Sequence, residues 1–135
     1  KIQTMAGVLA TGFLGFGTIN NAVAIGMLTS SNPPEKVIIS PRNEAKANAL
    51  RDRFPDKVII AKNNQEVIDG SKLIFIAVLP GQASDVLSSL TFRNDNRICS
   101  LMAGVSNEIL ISIMPNILPE NIIRAVPLPP VRDHA

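Results

Sequence analysis

A glycine-rich turn between an apolar run and a helical pattern constrains this chain more than any other feature. The run Gly12–Leu14 leads into Gly15, Phe16 and Gly17, and apolar residues then recur with helical spacing. They are Ile19, Ala22, Val23, Gly26 and Met27, at i, i+3, i+4, i+7 and i+8. This spacing predicts one buried helix face. The segment is therefore expected to form a strand, a tight turn and a helix, in that order.

The two glycines of the turn suit a site for a phosphate group. Gly15 can adopt backbone angles that a β-carbon forbids, and Gly17 allows a ligand to approach the main chain closely. The unpaired N–H groups at the start of the helix carry partial positive charge. Asn20 occupies the third position of the dinucleotide-binding fingerprint, where Gly or Ala permits the closest packing. A tight turn without a ligand is the alternative, but the order strand, turn and helix favours a dinucleotide-binding turn.

Composition limits the chain to one ordinary globular domain. It has 135 residues, of which 46% are hydrophobic and 18% charged, so it can bury a core. The net charge of +2 comes from scattered Lys and Arg residues, and Trp and Tyr are absent. Because there is neither a basic stripe nor a stacking platform, we expect no nucleic-acid partner. The single cysteine, Cys99, lies in an apolar segment and fits an inert core thiol in a cytoplasmic protein.

The stretch between Lys1 and Glu35 lacks charged residues, which raises the alternatives of a signal peptide or a membrane span. Asparagines and glycines interrupt this stretch, so we expect neither of them and no membrane partner. The predicted division of the chain is a cloning remnant or strand extension at residues 1–10, the domain at residues 11–126 and a proline-rich tail at residues 127–135.

Apolar strands alternate with amphipathic helices along the rest of the chain. The later strands are predicted at Val37–Ser40, Val58–Ile60, Leu73–Val78, Ile98–Met102 and Ile122–Val126. The intervening helices follow Asn43, Asn63, Pro80 and Ser106, and Asn63 with Glu66 has the spacing of a capping box. This alternation predicts an α/β fold of the Rossmann type: a doubly wound, mainly parallel sheet of about six strands with helices on both faces.

Four short segments lie at or near the ends of predicted strands. They are Gly12–Gly17 at the first turn, Asn64–Glu66 after the third strand, Ala77–Pro80 ending the fourth and Ala103–Ser106 after the fifth. In this order they resemble the N-terminal dinucleotide-binding domain of the pyrroline-5-carboxylate reductase family. The resemblance implies NADP(H) as cofactor and a cyclic imine as small-molecule substrate. In that family a helical C-terminal domain follows and forms the dimer, so this chain is expected to be the cofactor-binding half of a homo-oligomer, inactive alone.

The resemblance also implies which residues contact the cofactor. The first turn holds the pyrophosphate, the asparagine lies by the adenosine half, and the last two segments line the nicotinamide end. The implied contacts are Leu14, Gly15, Phe16, Gly17, Thr18, Ile19, Asn64, Ala77, Val78, Leu79, Pro80, Leu101, Met102 and Ala103. The chain departs from the family pattern at Leu79, where a polar residue is usual, at Met102, where alanine is usual, and at Val126–Pro130, which lacks an asparagine.

The end of the second strand predicts which nicotinamide cofactor is bound. An NAD-selective site carries Asp or Glu there, which binds the ribose 2′-OH and repels a phosphate. This chain has Ser40, Pro41, Arg42 and Asn43 instead. A hydroxyl and a guanidinium suit a 2′-phosphate, because Arg42 can donate charge-assisted hydrogen bonds. A solvated loop arginine is the alternative, and the missing acid argues against an S-adenosylmethionine-dependent methyltransferase.

No catalytic residue is assigned from the sequence. His134 lies in the tail, Ser106 is interpreted as a helix cap, and one Cys and one His are too few for a metal site. Hydride transfer depends on positioning more than on a protein nucleophile. Two classes of function remain open: an NADPH-dependent imine reductase, and a non-catalytic NADP-binding or interaction module. A related F420-type or β-hydroxyacid oxidoreductase is an intermediate possibility.

Overall fold

The computed structural model describes residues 10–15, 17–41, 44–102, 104–114 and 116–125, so the predicted cap Asn43, Val126–Pro130 and His134 lie outside the described residues. The strands are β1 (Ala10–Leu14), β2 (Lys36–Ile39), β3 (Val58–Ile60), β4 (Leu73–Ile76), β5 (Arg97–Ser100) and β6 (Ile122–Arg124). The helices are α1 (Thr18–Leu28), α2 (Glu44–Arg53), α3 (Asn64–Gly70), α4 (Pro80–Leu87) and α5 (Asn107–Ile113), and a 3-10 turn at Pro119–Asn121 precedes β6. Among these helices none is long and apolar enough to span a lipid bilayer.

The strands form one parallel sheet in the order β3-β2-β1-β4-β5-β6. The predicted fold class, a Rossmann-type doubly wound sheet, is confirmed. Because the strand order reverses between β1 and β4, the loops that leave these two strands diverge and open a crevice at the carboxyl edge. The predicted ends of β4 at Val78 and of β5 at Met102 were two residues too late, since the chain leaves the sheet after Ile76 and Ser100 to build that edge. Strand β1 begins at Ala10, inside the predicted extension.

Helices cover the two faces of the sheet unequally. Helices α3, α4 and α5 pack on one face, where they form one apolar cluster with residues of all the strands. Helices α1 and α2 pack on the other face, against β1, β2 and β3. On that second face Phe75 stacks on Phe13 with ring centroids 5.1 Å apart, Cys99 is half-buried, and Ile123 is 59% exposed. The described helices therefore leave the β5–β6 half of this face uncovered.

The buried face of α1 differs from the predicted one. The predicted stripe began at Ile19, but this side chain is 44% exposed, and Ala22 and Gly26 are exposed as well. The fully buried residues of the helix are Asn20, Ala24 and Leu28. Val23 and Met27 pack only at the margin of the cluster. The predicted face was wrong by one residue along the sequence because a polar side chain, Asn20, occupies the position closest to the strand end.

An arginine and an asparagine hold the amino edge of the sheet. The Arg93 guanidinium donates to backbone carbonyls within Ile68–Ser71, at the end of α3, over distances of 2.9 to 3.0 Å. The buried side chain of Asn96 donates to the Ser71 carbonyl at 3.0 Å and accepts the backbone N–H of Arg93. The hydrogen bond from Arg93 also holds the pKa of the Asp95 carboxyl below its usual value. These contacts lie at the end of the sheet opposite the crevice.

Candidate functional site

The carboxyl edge of the sheet brings the residues singled out in the sequence into neighbouring loops. Backbone hydrogen bonds continue the ladder just beyond the strand ends. The N–H of Ser40 donates to the Phe13 carbonyl at 3.1 Å, and on the other side of the crevice the N–H of Ala77 donates to the Leu14 carbonyl at 3.0 Å. The loops after β2 and β4 are therefore both fixed to β1, where the glycine turn begins.

The glycine turn is packed tightly on one side and open on the other. Gly15 has a φ of 77°, and a β-carbon there would lie 2.8 Å from the Ala77 carbonyl oxygen and 2.9 Å from Cγ1 of Val78. A β-carbon on Gly17 would meet no atom within 4 Å. Gly15 is thus required by the approach of the turn to the end of β4, whereas Gly17 faces free space in which a ligand can approach the main chain.

The first turn of α1 is suited to an anion. Gly17 is its N-cap, no side-chain hydrogen bond caps it, and its first turn carries no acidic residue among the described residues. Thr18 and Ile19 are exposed, so the surface around the helix start is accessible. The unpaired N–H groups and the helix dipole favour negative charge there. Phe16, between the two glycines, lies outside the described residues.

Two buried polar side chains bond to Gly15 from opposite sides. The Oγ of Ser40 accepts the Gly15 N–H at 3.0 Å, and the Ser40 side chain is 1% exposed. The Asn20 Nδ2 donates to the carbonyls of Gly15 and, at 3.0 Å, of Leu14, and Asn20 is fully buried. Its Oδ1 has no hydrogen-bond partner among the described residues. A direct contact of Ser40 with a 2′-phosphate stays a prediction, and Arg42 lies outside the described residues.

The loops after β2 and β3 line a hollow that is wide open to solvent. Its volume is about 430 Å³, and it is lined by Pro41, Lys62, Asn63 and Asn64. Asn64 is the residue that the sequence placed by the adenosine half, and its contact with cofactor stays a prediction. The predicted capping box is confirmed: the Asn63 Oδ1 accepts the Glu66 N–H at 2.9 Å, and Glu66 Oε1 accepts the Lys62 N–H at 2.9 Å.

Lys62 is a candidate that the sequence analysis missed. Its side chain is exposed at the hollow, and its ammonium forms no ion pair with any described carboxylate. The signal was available in the sequence, since Lys62 follows the third strand by two residues, where the carboxyl edge begins. In a parallel sheet the ends of adjacent strands β2 and β3 lie side by side, so a cation after β3 reaches the loop after β2.

The predicted nicotinamide end consists of buried and half-buried groups. Leu101 and Met102 are 6% and 3% exposed, so both residues are buried directly after β5. Ala77 and Val78 are half-buried, and Leu79 is 67% exposed as the N-cap of α4. The Pro80 side chain and Ala103 lie outside the described residues. The contacts implied for this end stay predictions.

The described residues supply binding groups at this edge and no cluster of metal-ligating side chains. Ser106 caps α5, because its Oγ accepts the Ile109 N–H at 3.2 Å, as predicted. Cys99 lies in β5, and burial raises the pKa of its thiol. Such a thiol is a poor nucleophile at neutral pH. The arrangement can bind and orient an anionic ligand at the crevice.

Comparison with known proteins agrees with this geometry. Residues 10–116 match the family model described as NADP oxidoreductase, coenzyme F420-dependent. Among curated proteins, pyrroline-5-carboxylate reductase 3 of Danio rerio is 35% identical over 108 residues, which cover 77% of this chain and 36% of that protein. Pyrroline-5-carboxylate reductase of Escherichia coli K12 is 32% identical, covering 88% of this chain and 44% of that protein. The predicted resemblance is confirmed, and the chain spans less than half the length of these relatives.

Solved structures show the same fold. Pyrroline-5-carboxylate reductase of Streptococcus pyogenes superposes with a TM-score of 0.69 at 22% identity, covering 88% of this chain and 42% of that one. The Plasmodium falciparum reductase, solved with NADP bound, gives a TM-score of 0.68 at 18% identity and covers 93% of this chain and 44% of that one. This chain belongs to the family of coenzyme F420-dependent NADP oxidoreductases, because the family model matches residues 10–116. The doubly wound sheet and the open glycine turn agree with that assignment.

Proposed function

We propose that this chain binds NADPH as the cofactor-binding part of an oxidoreductase that reduces a cyclic imine of the pyrroline-5-carboxylate type. The observation that carries the proposal is the uncapped first turn of α1, which faces the crevice beside Gly17 without an acidic residue. The curated relatives named as pyrroline-5-carboxylate reductases and the Plasmodium structure with NADP bound support it. The lone cysteine is consistent with a cytoplasmic location.

The residues of this chain would bind and orient the cofactor. The first turn of α1 would receive the pyrophosphate, and the hollow at Lys62 and Asn64 would receive the adenosine ribose with its 2′-phosphate. The backbone at Ala77 and Leu101 would form one wall of the nicotinamide end. When bound, the nicotinamide supplies the hydride that reduces the C=N bond. Holding that ring in near-attack geometry accounts for most of what a protein contributes to such a reaction.

The relatives are more than twice as long as the region they share with this chain, which covers 36% and 44% of two of them. We therefore assign the imine pocket and the contacts between subunits of a homo-oligomer to sequence beyond the shared region. Oxidation of NADPH with pyrroline-5-carboxylate, followed by absorbance at the nicotinamide band, tests the reaction in a protein that includes such sequence.

Transfer of electrons between NADP and coenzyme F420 is the second candidate function, which the description of the matching family favours. The same absorbance assay separates the two candidates when it is run with F420 in place of the imine. Turnover with F420 and none with the imine contradicts the imine-reductase proposal. Binding of NADPH without turnover on either substrate, in the longer protein, leaves the non-catalytic module as the function.

Replacement of Lys62 by alanine should weaken NADPH binding by about tenfold, which corresponds to a hydrogen bond to a charged group, and leave NADH binding unchanged. The ammonium gains a charged partner only with the 2′-phosphate. Calorimetric titration of both cofactors measures these affinities. Lys72→Ala, which replaces an exposed lysine just before β4 at the opposite edge, is the matched control. Equal losses for NADPH and NADH in Lys62→Ala would refute a role of Lys62 in selectivity.

Arg42→Ala is expected to weaken the binding of NADPH alone, by about 1 to 3 kcal/mol. The same titrations measure this loss, and an equal loss for NADH would contradict it.

A further inference from the structure

We propose that Asn20 and Ser40 are positioning residues that hold the Gly15 peptide groups in place, and so set the geometry of the turn that receives the cofactor pyrophosphate. The inference rests on the proposed binding of a nicotinamide dinucleotide. It assigns to Ser40 a role different from the contact with a 2′-phosphate that the sequence suggested. It also assigns a role to Asn20, which stands where the fingerprint has a small residue.

The hydrogen bonds define the arrangement. Gly15 donates its N–H to Ser40 Oγ at 3.0 Å and accepts at its carbonyl from Asn20 Nδ2. The same carboxamide donates to the Leu14 carbonyl at 3.0 Å. Ser40 directly follows β2 and Asn20 lies in the first turn of α1, so residues of two elements hold one residue of the turn.

Burial shows how the two side chains can act. Asn20 is 0% and Ser40 1% exposed, so neither reaches a ligand in the crevice except through the backbone that it holds. Because the Gly15 N–H is already bonded to Ser40, this group is not free for a phosphate. Among the described residues of the turn, the N–H groups that remain for the pyrophosphate are those at the start of α1. Their direction depends on how the Gly15 turn enters the helix.

The backbone freedom of Gly15 explains why the turn needs the hydrogen bonds to Ser40 and Asn20. Gly15 is in the left-handed region, with a φ of 77°, and glycine has more backbone freedom to lose than any other residue. Where the fingerprint relies on close packing of a small residue, this chain places a carboxamide against two strand-end carbonyls. Removing the carboxamide takes away the donor to the Gly15 carbonyl, while the Leu14 carbonyl keeps the Ala77 N–H. The lost buried hydrogen bond at Gly15 favours rearrangement of the turn.

The test compares two cofactors that share the pyrophosphate and differ only in the 2′-phosphate. NADPH and NADH are titrated calorimetrically into the full chain carrying Ser40→Ala or Asn20→Ala, and the melting temperature of each variant is recorded. The controls lie at the amino edge of the sheet and are equally buried: Asn96→Ala removes a buried hydrogen bond, and Ser71→Ala removes a hydroxyl without a partner among the described residues. We expect each site variant to weaken NADPH and NADH by the same factor, about three- to tenfold, the scale of one hydrogen bond, while the controls keep wild-type affinity.

Each other result overturns the inference in a recognisable way. A loss confined to NADPH means that Ser40 contacts the 2′-phosphate directly. Unchanged affinities mean that the turn keeps its geometry without these bonds, and equal losses in Asn96→Ala mean that affinity follows overall stability. If Asn20→Ala does not fold, Ser40→Ala, which removes a single oxygen, decides the outcome alone. A wild-type chain that binds neither cofactor refutes the proposed function as well.

Discussion

Replacement of Gly15 by alanine should weaken NADPH binding by roughly a hundredfold and lower the stability of the fold. The residue has a φ of 77°, where a β-carbon costs about 1 to 2 kcal/mol. The added carbon would also lie 2.8 Å from the carbonyl oxygen of Ala77, a residue just beyond β4 whose N–H is bonded to Leu14. The turn must therefore move away from β4, and the start of α1 moves with it. Calorimetric titration and thermal unfolding of the variant measure the two effects.

Substitutions at two other glycines separate the effect on stability from the effect on binding. A β-carbon on Gly26, an exposed position within α1, would meet no atom, so Gly26→Ala should raise stability by up to about 1 kcal/mol and leave binding unchanged. Gly17→Ala should keep the stability of the fold and weaken binding, because the added methyl projects into the open space beside the turn. Wild-type affinity in Gly15→Ala would show that the crevice does not bind the pyrophosphate at this turn.

Replacement of Gly12 by alanine should lower the free energy of unfolding by about 1 to 3 kcal/mol, the usual range for overpacking a core. A β-carbon on Gly12 would lie 2.3 Å from Ser71 Oγ, 2.9 Å from Ser71 Cβ and 2.7 Å from Cγ1 of Val67. Helix α3 packs directly on β1 at this point, so relief requires a shift of the helix. Urea denaturation measures the loss.

A second substitution tests the cause of that loss. Because Ser71 supplies two of the close atoms, the double variant Gly12→Ala/Ser71→Gly should recover part of the stability relative to Gly12→Ala alone. Additive effects of the two substitutions would indicate that the strain arises elsewhere. A loss below about 0.5 kcal/mol for Gly12→Ala would place the position among tolerant surface sites and contradict the packing of α3 on β1.

The fold was predictable from local patterns. Uninterrupted apolar runs such as Val37–Ile39 mark strands buried on both faces, and the pair Asn63 and Glu66 marks the start of α3. These signals act over a few residues, and the alternation of strands and helices then leaves few possible topologies. The position of the binding edge followed as well, because the carboxyl ends of parallel strands lie together.

Long-range contacts explain what could not be predicted. The hydrogen bond between Gly15 and Ser40 joins residues 25 positions apart, and no local pattern indicates it. The predicted buried face of α1 was wrong for a related reason. Hydrophobicity favours burial of Ile19 over Asn20, but only Asn20 can donate hydrogen bonds to the carbonyls of Leu14 and Gly15. Lys62 is a surface lysine until β2 and β3 are known to be neighbours.

The uneven covering of the sheet by helices determines which strands unfold locally at the lowest free energy. Strands with a bare face and a free edge cost the least free energy to detach, and amide hydrogen exchange reports that cost. Within the part of the chain that the structure describes, β6 is an edge strand and its Ile123 is 59% exposed, whereas β1 lies at the centre with Phe13 fully buried. Exchange should therefore slow from β6 through β5 and β4 to β1. The glycine turn thus follows the strand that unfolds last, so the turn keeps its conformation while β5 and β6 unfold locally.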